Sequence, residues 1–314
     1  MNLPSSTFHL SQEKTMPEQS SFPFDALMPP EMAGKAENVG VNKAQLTSFR
    51  MFALAVLAGA FIAMGAIFST TATTGASALP YGIVRVIAGA TFSLGLILVI
   101  VAGAELFTGN NLIVMAWASR KVSTGQLVRN WMVVYAGNFL GSIITAYGMY
   151  LSHQFEFNGG ALGLNALNIA HAKTSLDFLP ALVLGVFCNA LVCLAVWLCM
   201  SARSTTDRVL AIVPPITAFV AAGFEHSIAN MYFIPVGMFI KTGAGPEFWA
   251  NIGKTAADFP NLTWGNFFLM NLIPVTIGNI IGGAVMVGLV YWSIYLRTAR
   301  YMPVKPQMKA GQTR

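Results

Sequence analysis

Three ionisable side chains stand in stretches that otherwise lack charge. Glu105 separates the charge-free runs 86–104 and 106–119, and Glu225 and His226 lie side by side within the apolar region 207–240. A charge at bilayer depth is costly, so such a residue faces a cavity or a partner. Imidazole titrates near neutral pH and can gain or lose a proton in place, which makes a functional role the expectation for His226. A carboxylate beside a helix break has a more local use: it can accept hydrogen bonds from backbone N–H groups that the break leaves unpaired. That supporting role is the expectation for Glu105 and Glu225. His9, His153 and His171 lie in the tail or in loops and carry no such expectation.

The residues after each glutamate are poor helix formers. Positions 107–111 include Thr108, Gly109 and Asn110, and positions 226–230 include His226, Ser227 and Asn230. An apolar segment follows each, over 112–118 and 231–240. The pattern predicts a half-helix, an irregular turn and a second half-helix, twice. Irregular backbone at membrane depth is tolerated where it lines a cavity or is buried in protein. The second half-helices would present free N–H groups and positive dipole ends, and two such ends near the midplane attract an anion.

The elements that must position these residues follow from the scarcity of charge. Of 314 residues, 10% are Asp, Glu, Lys or Arg and 55% are hydrophobic. A soluble domain carries roughly 25% charged residues, and disorder needs low hydrophobicity with high charge, so both classes are excluded. A helix crosses the hydrocarbon core with about 20 apolar residues. Six spans are predicted, near 47–70, 84–118, 127–151, 178–202, 207–240 and 264–296, in an all-α membrane protein. Residues 1–43 form an N-terminal segment, 44–300 the membrane domain and 301–314 a tail. The N-terminal segment lacks the short apolar stretch and cleavage site of a signal peptide; it reads as cytoplasmic, with 22–30 as a docking element.

Basic residues set the orientation. Fourteen of the 18 lie at or beyond the span ends on one side: Lys14, Lys35, Lys43 and Arg50 around the start of the first span, Arg120, Lys121 and Arg129 around the second-to-third connection, Arg203 and Arg208 around the fourth-to-fifth, and five after the sixth, which leaves Arg85, Lys173, Lys241 and Lys254 on the other side. Both termini are therefore expected in the cytoplasm. No basic patch on a soluble face points to nucleic acid. Cys188, Cys193 and Cys199 all fall in the fourth span and read as small packing residues, not as a disulfide or zinc set. Metal or nucleophile motifs of a membrane enzyme are absent from the sequence, and no cofactor is expected.

Two segments recur. Asn130, Gly137, Asn138 and Gly141 in the third span match Asn271, Gly278, Asn279 and Gly282 in the sixth, 141 residues on. Glu105 and Asn110 match Glu225 and Asn230, 120 residues on. The first and fourth spans show no convincing match. Three spans per half make the repeat inverted, a transporter and channel architecture. The Gly-x-x-x-Gly pairs let helix backbones approach, and Asn138 and Asn279 beside them read as packing and hydrogen-bonding residues.

These residues resemble the formate/nitrite transporter family from about Phe22 to Arg297. The specific pieces are Phe92-Ser-Leu-Gly-Leu96, Gly103-Ala-Glu-Leu-Phe-Thr108, Leu191-Val-Cys-Leu-Ala-Val-Trp197, Gly223-Phe-Glu-His-Ser-Ile-Ala-Asn230 and the run from Asn271 to Gly283. The resemblance implies an aquaporin-like protomer of six spans with two broken helices, a homopentamer with one pore per protomer, in a bacterial inner membrane. It implies that His226 is the central pore histidine, with Thr108 as neighbour and Asn189 as fourth-span polar partner. Phe92, Leu96, Leu106, Val192 and Phe219 would form apolar constrictions, and Lys173 would draw anions into the vestibule. Formate is the implied substrate, with a proton relay by His226 and a gate in the N-terminal segment. Nitrite or hydrosulfide is the alternative within the family, and a neutral-solute pore outside it.

Overall fold

The computed structural model describes residues 26–297, all helix, turn and loop. The tail 301–314 and part of the predicted docking element 22–30 lie outside the described residues. α1 (Pro29–Gln45) opens with proline in its first turn, where a missing N–H costs nothing. α2 (Ser48–Thr73) starts at Thr47, whose hydroxyl accepts the Arg50 N–H. α3 (Tyr81–Gly103) ends as a π-turn over its last six residues. Two short helices follow, α4 (Phe107–Asn110) and α5 (Val114–Ala118), joined by a 3-10 turn. α6 (Thr124–Leu151) is capped by Ser123 with Gln126 three residues on. α7 (Ala161–Thr174) precedes α8 (Phe178–Ser201), α9 (Thr205–Ala221) and α10 (Ser227–Gly243). α11 (Pro246–Ile252) leads to α12 (Trp264–Leu296), a long helix with three π stretches.

Among the described residues five helices, α2, α3, α6, α8 and α12, are long and apolar enough to cross a membrane. The predicted fifth span is divided. α9 and α10 have 17 residues each, about 26 Å at 1.5 Å per residue, short of the ~30 Å hydrocarbon core. The glycine pairs bring backbones together as expected. A Cβ on Gly141 would lie 2.0 Å from the Val56 carbonyl of α2, and one on Gly282 would lie 2.0 Å from the Val186 carbonyl of α8.

Both helix breaks fall earlier than predicted. The first occupies 104–106 and the second 222–226, and helix resumes at Phe107 and Ser227. Weak helix propensity at 107–111 and 226–230 is overridden by tertiary contacts. Gly103 and Gly223 adopt left-handed φ of 84° and 78°. There a Cβ would be strained, and each glycine closes a six-to-one bond, Ala104 N–H to Val99 O and Phe224 N–H to Phe219 O. Beyond each turn the chain runs extended. Glu105 N–H donates to Leu54 O on α2, and Glu225 N–H donates to Leu184 O on α8.

Candidate functional site

Helix restarts at each break because an asparagine supplies its first acceptor. Asn138 Oδ1 accepts the Phe107 N–H at 2.9 Å, and its amide donates to Ala55 O and Glu105 O. Asn279 Oδ1 accepts the Ser227 N–H at 2.9 Å, and its amide donates to Gly185 O and Glu225 O. Both asparagines are fully buried. Their bonds to Phe107 N–H and Glu105 O, and to Ser227 N–H and Glu225 O, satisfy backbone groups at the breaks, while those to Ala55 O and Gly185 O tie each break to α2 or α8.

The glutamate side chains therefore do not serve the orphan N–H groups, contrary to the expectation from sequence. Glu105 takes Lys43 Nζ at 2.7 Å and Asn110 Nδ2 at 2.7 Å. Asn110 Nδ2 also donates to Asn130 Oδ1, and Asn130 Nδ2 donates to Lys43 O. The second network repeats the first. Glu225 takes Lys173 Nζ at 2.8 Å and Asn230 Nδ2 at 2.7 Å; Asn230 Nδ2 donates to Asn271 Oδ1, and Asn271 Nδ2 donates to Lys173 O. One bond differs. Asn110 Oδ1 accepts Lys43 Nζ at 3.0 Å, whereas Asn230 Oδ1 is buried with no hydrogen-bond partner among the described residues and Lys173 Nζ leans over the Phe233 ring, 5.5 Å from its centre.

Between the two networks lies His226. It caps α10, with Nδ1 accepting the Ala229 N–H at 3.1 Å. A neutral ring so engaged carries its proton on Nε2, and Nε2 faces Thr108 Oγ1 at 3.0 Å. Thr108 is held through its carbonyl, which accepts Asn189 Nδ2 at 3.2 Å and the Cys193 thiol at 3.3 Å. Asn189 also donates to Asn111 Oδ1 and Asn279 O, so its amide N–H groups bind the surrounding backbone and side chains. The walls are apolar. Phe219 stacks on the His226 ring at 6.0 Å and meets Phe92 edge-on at 5.8 Å, and Phe233 stacks on Phe92 at 6.2 Å. Val192, Leu96 and Leu106 join the same buried cluster. Past Leu106 a cavity of about 110 Å³ opens between α1, α3, α8 and the first break, lined in part by Lys43, Leu96, Gly109 and Asn110.

The structure thus brings His226, Thr108, Asn189, Phe92 and Phe219 together, and places Leu96 and Leu106 on the cavity side. Glu225, Asn230 and Lys173 form one separate ion-pair network, and Glu105 and Asn110 another. Lys43, Asn111 and Cys193 are site residues that sequence reasoning misses. From sequence Lys43 reads only as a charge setting orientation; the signal that could find it is its recurrence 130 residues on. Lys43, Leu46 and Leu54 repeat as Lys173, Leu176 and Leu184. The same offset relates Ala55 O to Gly185 O, the acceptors of Asn138 and Asn279. α2 and α8 thus offer equivalent backbone acceptors at this offset.

Long apolar helices around two breaks, with one buried histidine–threonine pair walled by apolar rings, define a helical membrane transport protein. The formate/nitrite transporter model matches residues 30–293, and the chain belongs to that family. It is 49% identical over 275 residues to the formate channel FocA of Escherichia coli K12, covering 88% of this chain and 96% of that protein. Identity to the formate channel FocA of Haemophilus influenzae is 40% over 263 residues, covering 84% and 93%. Among solved structures, a pentameric formate channel with formate bound superposes with a TM-score of 0.76 at 50% identity, covering 79% of this chain and 98% of that one.

Proposed function

We propose that this chain is a formate channel of a bacterial inner membrane, with α9 and α10 together forming a sixth span, the two halves inverted, and both termini cytoplasmic. Relatives named as formate channels, one solved as a pentamer with formate bound, support the substrate and a homopentameric assembly. The observation that carries the site is the His226 Nε2–Thr108 Oγ1 pair enclosed by apolar side chains. Lys173 at the outer mouth and the positive end of α10 draw the anion inward. A bare carboxylate crosses apolar walls at high cost, so hydrogen bonds from Thr108 and His226, or a proton, must offset that cost between Phe92–Phe219 and Leu96–Leu106–Val192.

The geometry couples proton transfer to the start of α10. A neutral ring offers formate a hydrogen bond from Nε2. To give formate a whole proton, the ring must first take one on Nδ1, which breaks the Ala229 bond, a cap worth about 1 kcal/mol. The N–H bond at Nε2 then breaks as the formic acid O–H forms, and a proton regained from the far side completes the cycle. Residues 1–43, with α1 over the 110 Å³ cavity, act as the cytoplasmic gate, 44–300 form the channel, and 301–314 are a cytoplasmic tail.

Proteoliposome flux of formate, nitrite, hydrosulfide and acetate across a pH series tests the reading. Formate is expected to pass best, and nitrite or hydrosulfide passing better would replace it as substrate. Replacing His226 with Phe should abolish the pH dependence of formate flux; an unchanged, equally pH-sensitive flux sinks the relay.

A further inference from the structure

We propose that Arg85 is a positioning residue that holds the aromatic constriction Phe92–Phe219 narrow and so lets the channel discriminate formate from larger carboxylates. The proposal rests on the pore reading above. Arg85 lies in the first turns of α3 and is half-buried. Its guanidinium donates to the last carbonyls of α9, from Nε to Ala221 O at 3.2 Å and from Nη2 to Val220 O. A planar two-pronged donor of this kind fixes direction as well as distance. Carbonyls at a helix C-terminus have no partner within the helix, and α9 ends at Ala221; Val220 O also accepts the Gly223 N–H of the turn at 3.1 Å, so Arg85 binds the turn where α9 stops.

The contact between α3 and α9 runs antiparallel. Ser93 Oγ reaches Val213 O at 3.5 Å, a Cβ on Gly89 would lie 2.5 Å from Thr217 O, and Arg85 meets 220–221. Arg85 is thus the last tie before the chain leaves α9 for the break. Phe219 sits in the turn so tied, and Phe92 lies seven residues after Arg85 on the same face of α3. With the Gly89 and Ser93 contacts fixing the rest of the α3–α9 seam, the Arg85 tie is the one nearest the break and bears on the spacing of the two rings, 5.8 Å between centres. The matching turn at the first break has no such tie: among the described residues no side chain donates to the carbonyls of 99–103, where α3 ends as a π-turn. Arg85 also has no carboxylate partner among the described residues, so its hydrogen bonds to α9 are its principal polar contacts.

Purified channels carrying Arg85→Lys, Arg85→Gln or Phe219→Ala, reconstituted in liposomes, would be compared with the unaltered protein for formate and acetate efflux at low and high salt. Pockets tell ligands differing by one methylene apart by roughly 10–200-fold. A loosened constriction should give up part of that discrimination, so the acetate-to-formate ratio is expected to rise about threefold or more in Arg85→Gln. Lys keeps the charge but not the two-pronged geometry, so Arg85→Lys should also raise the ratio, by less. An unaltered ratio in Arg85→Lys, with salt-dependent loss of both fluxes in Arg85→Gln, would mean that Arg85 acts as an attracting charge and overturns the proposal. An unaltered ratio in both Arg85 variants while Phe219→Ala raises it also overturns the positioning role but leaves the pore reading standing. An unaltered ratio in Phe219→Ala removes the pore reading itself. If Arg85→Gln does not assemble, Arg85→Lys alone decides.

Discussion

The Lys43–Glu105 pair offers a quantitative test of how α1 is joined to the membrane domain. Glu105 is nearly buried, with 7% of its side chain exposed, while Lys43 keeps 28% exposed at the edge of the 110 Å³ cavity. Removing one member of a fully buried pair costs about 3–5 kcal/mol because the other is left as an uncompensated charge. Loss of Lys43 strands the more buried member, yet water in the cavity relieves part of the penalty, so Lys43→Met should cost about 2–3 kcal/mol. Glu105→Gln strands the more exposed ammonium and should cost about 1–2 kcal/mol. The double variant contains no stranded charge, and the glutamine carbonyl that replaces the carboxylate can still accept from Asn110, so its loss should fall short of the sum by about 1–2 kcal/mol. Apparent melting temperatures of the purified protein, all at one scan rate, read this as about 2–4 °C per kcal/mol. The same cycle on Lys173–Glu225, with 16% and 6% exposed, should show a larger coupling because both partners are drier. Additive losses in both cycles, within the usual ~0.3–0.5 kcal/mol for independent sites, would refute the idea that these pairs hold the two breaks.

Three other outcomes follow from the same contacts. Asn279→Ala leaves the Ser227 N–H and the Glu225 carbonyl at the break without their side-chain partner, each worth about 1–3 kcal/mol when left unsatisfied, and also removes the tie to Gly185 O of α8, so thermal stability and flux should both collapse, while a variant near the unaltered melting temperature would contradict the role given to Asn279. Gly282→Ala places a Cβ 2.0 Å from Val186 O, whereas one on Gly148 meets nothing within 4 Å; the first should destabilise by at least the ~1–3 kcal/mol of an overpacked core, the second should be neutral, and equal melting points would count against the close α8–α12 contact. Deleting residues 1–40 removes most of α1 from the cavity wall and should change formate flux or its pH response in liposomes; no change in either removes the gate.

Much of this protein is decided locally. Scarcity of charge alone requires helices in a membrane, because an apolar run of that length has no other stable solvent. Asn138, Asn279 and the glycines beside them are legible as a repeated packing motif, and His226 stands out because a titratable ring at membrane depth is costly to keep without a role. Location within a stretch is legible; partnership is not. The sequence pattern assigns Glu105 and Glu225 to the backbone, but the amides of Asn138 and Asn279 reach it first, and the carboxylates turn to Lys43 and Lys173. Lys43 lies 62 residues from Glu105, and no helical periodicity relates them. Arg85 likewise reads as one more charge on the outer side until α9 is seen to end against it. Which stretches are apolar enough to cross a membrane, and which residues interrupt them, follows from transfer free energy summed along the chain. Which interruption meets which, where each helix stops and which nitrogen of His226 faces Thr108 emerge on folding, because buried hydrogen bonds are allotted by three-dimensional proximity.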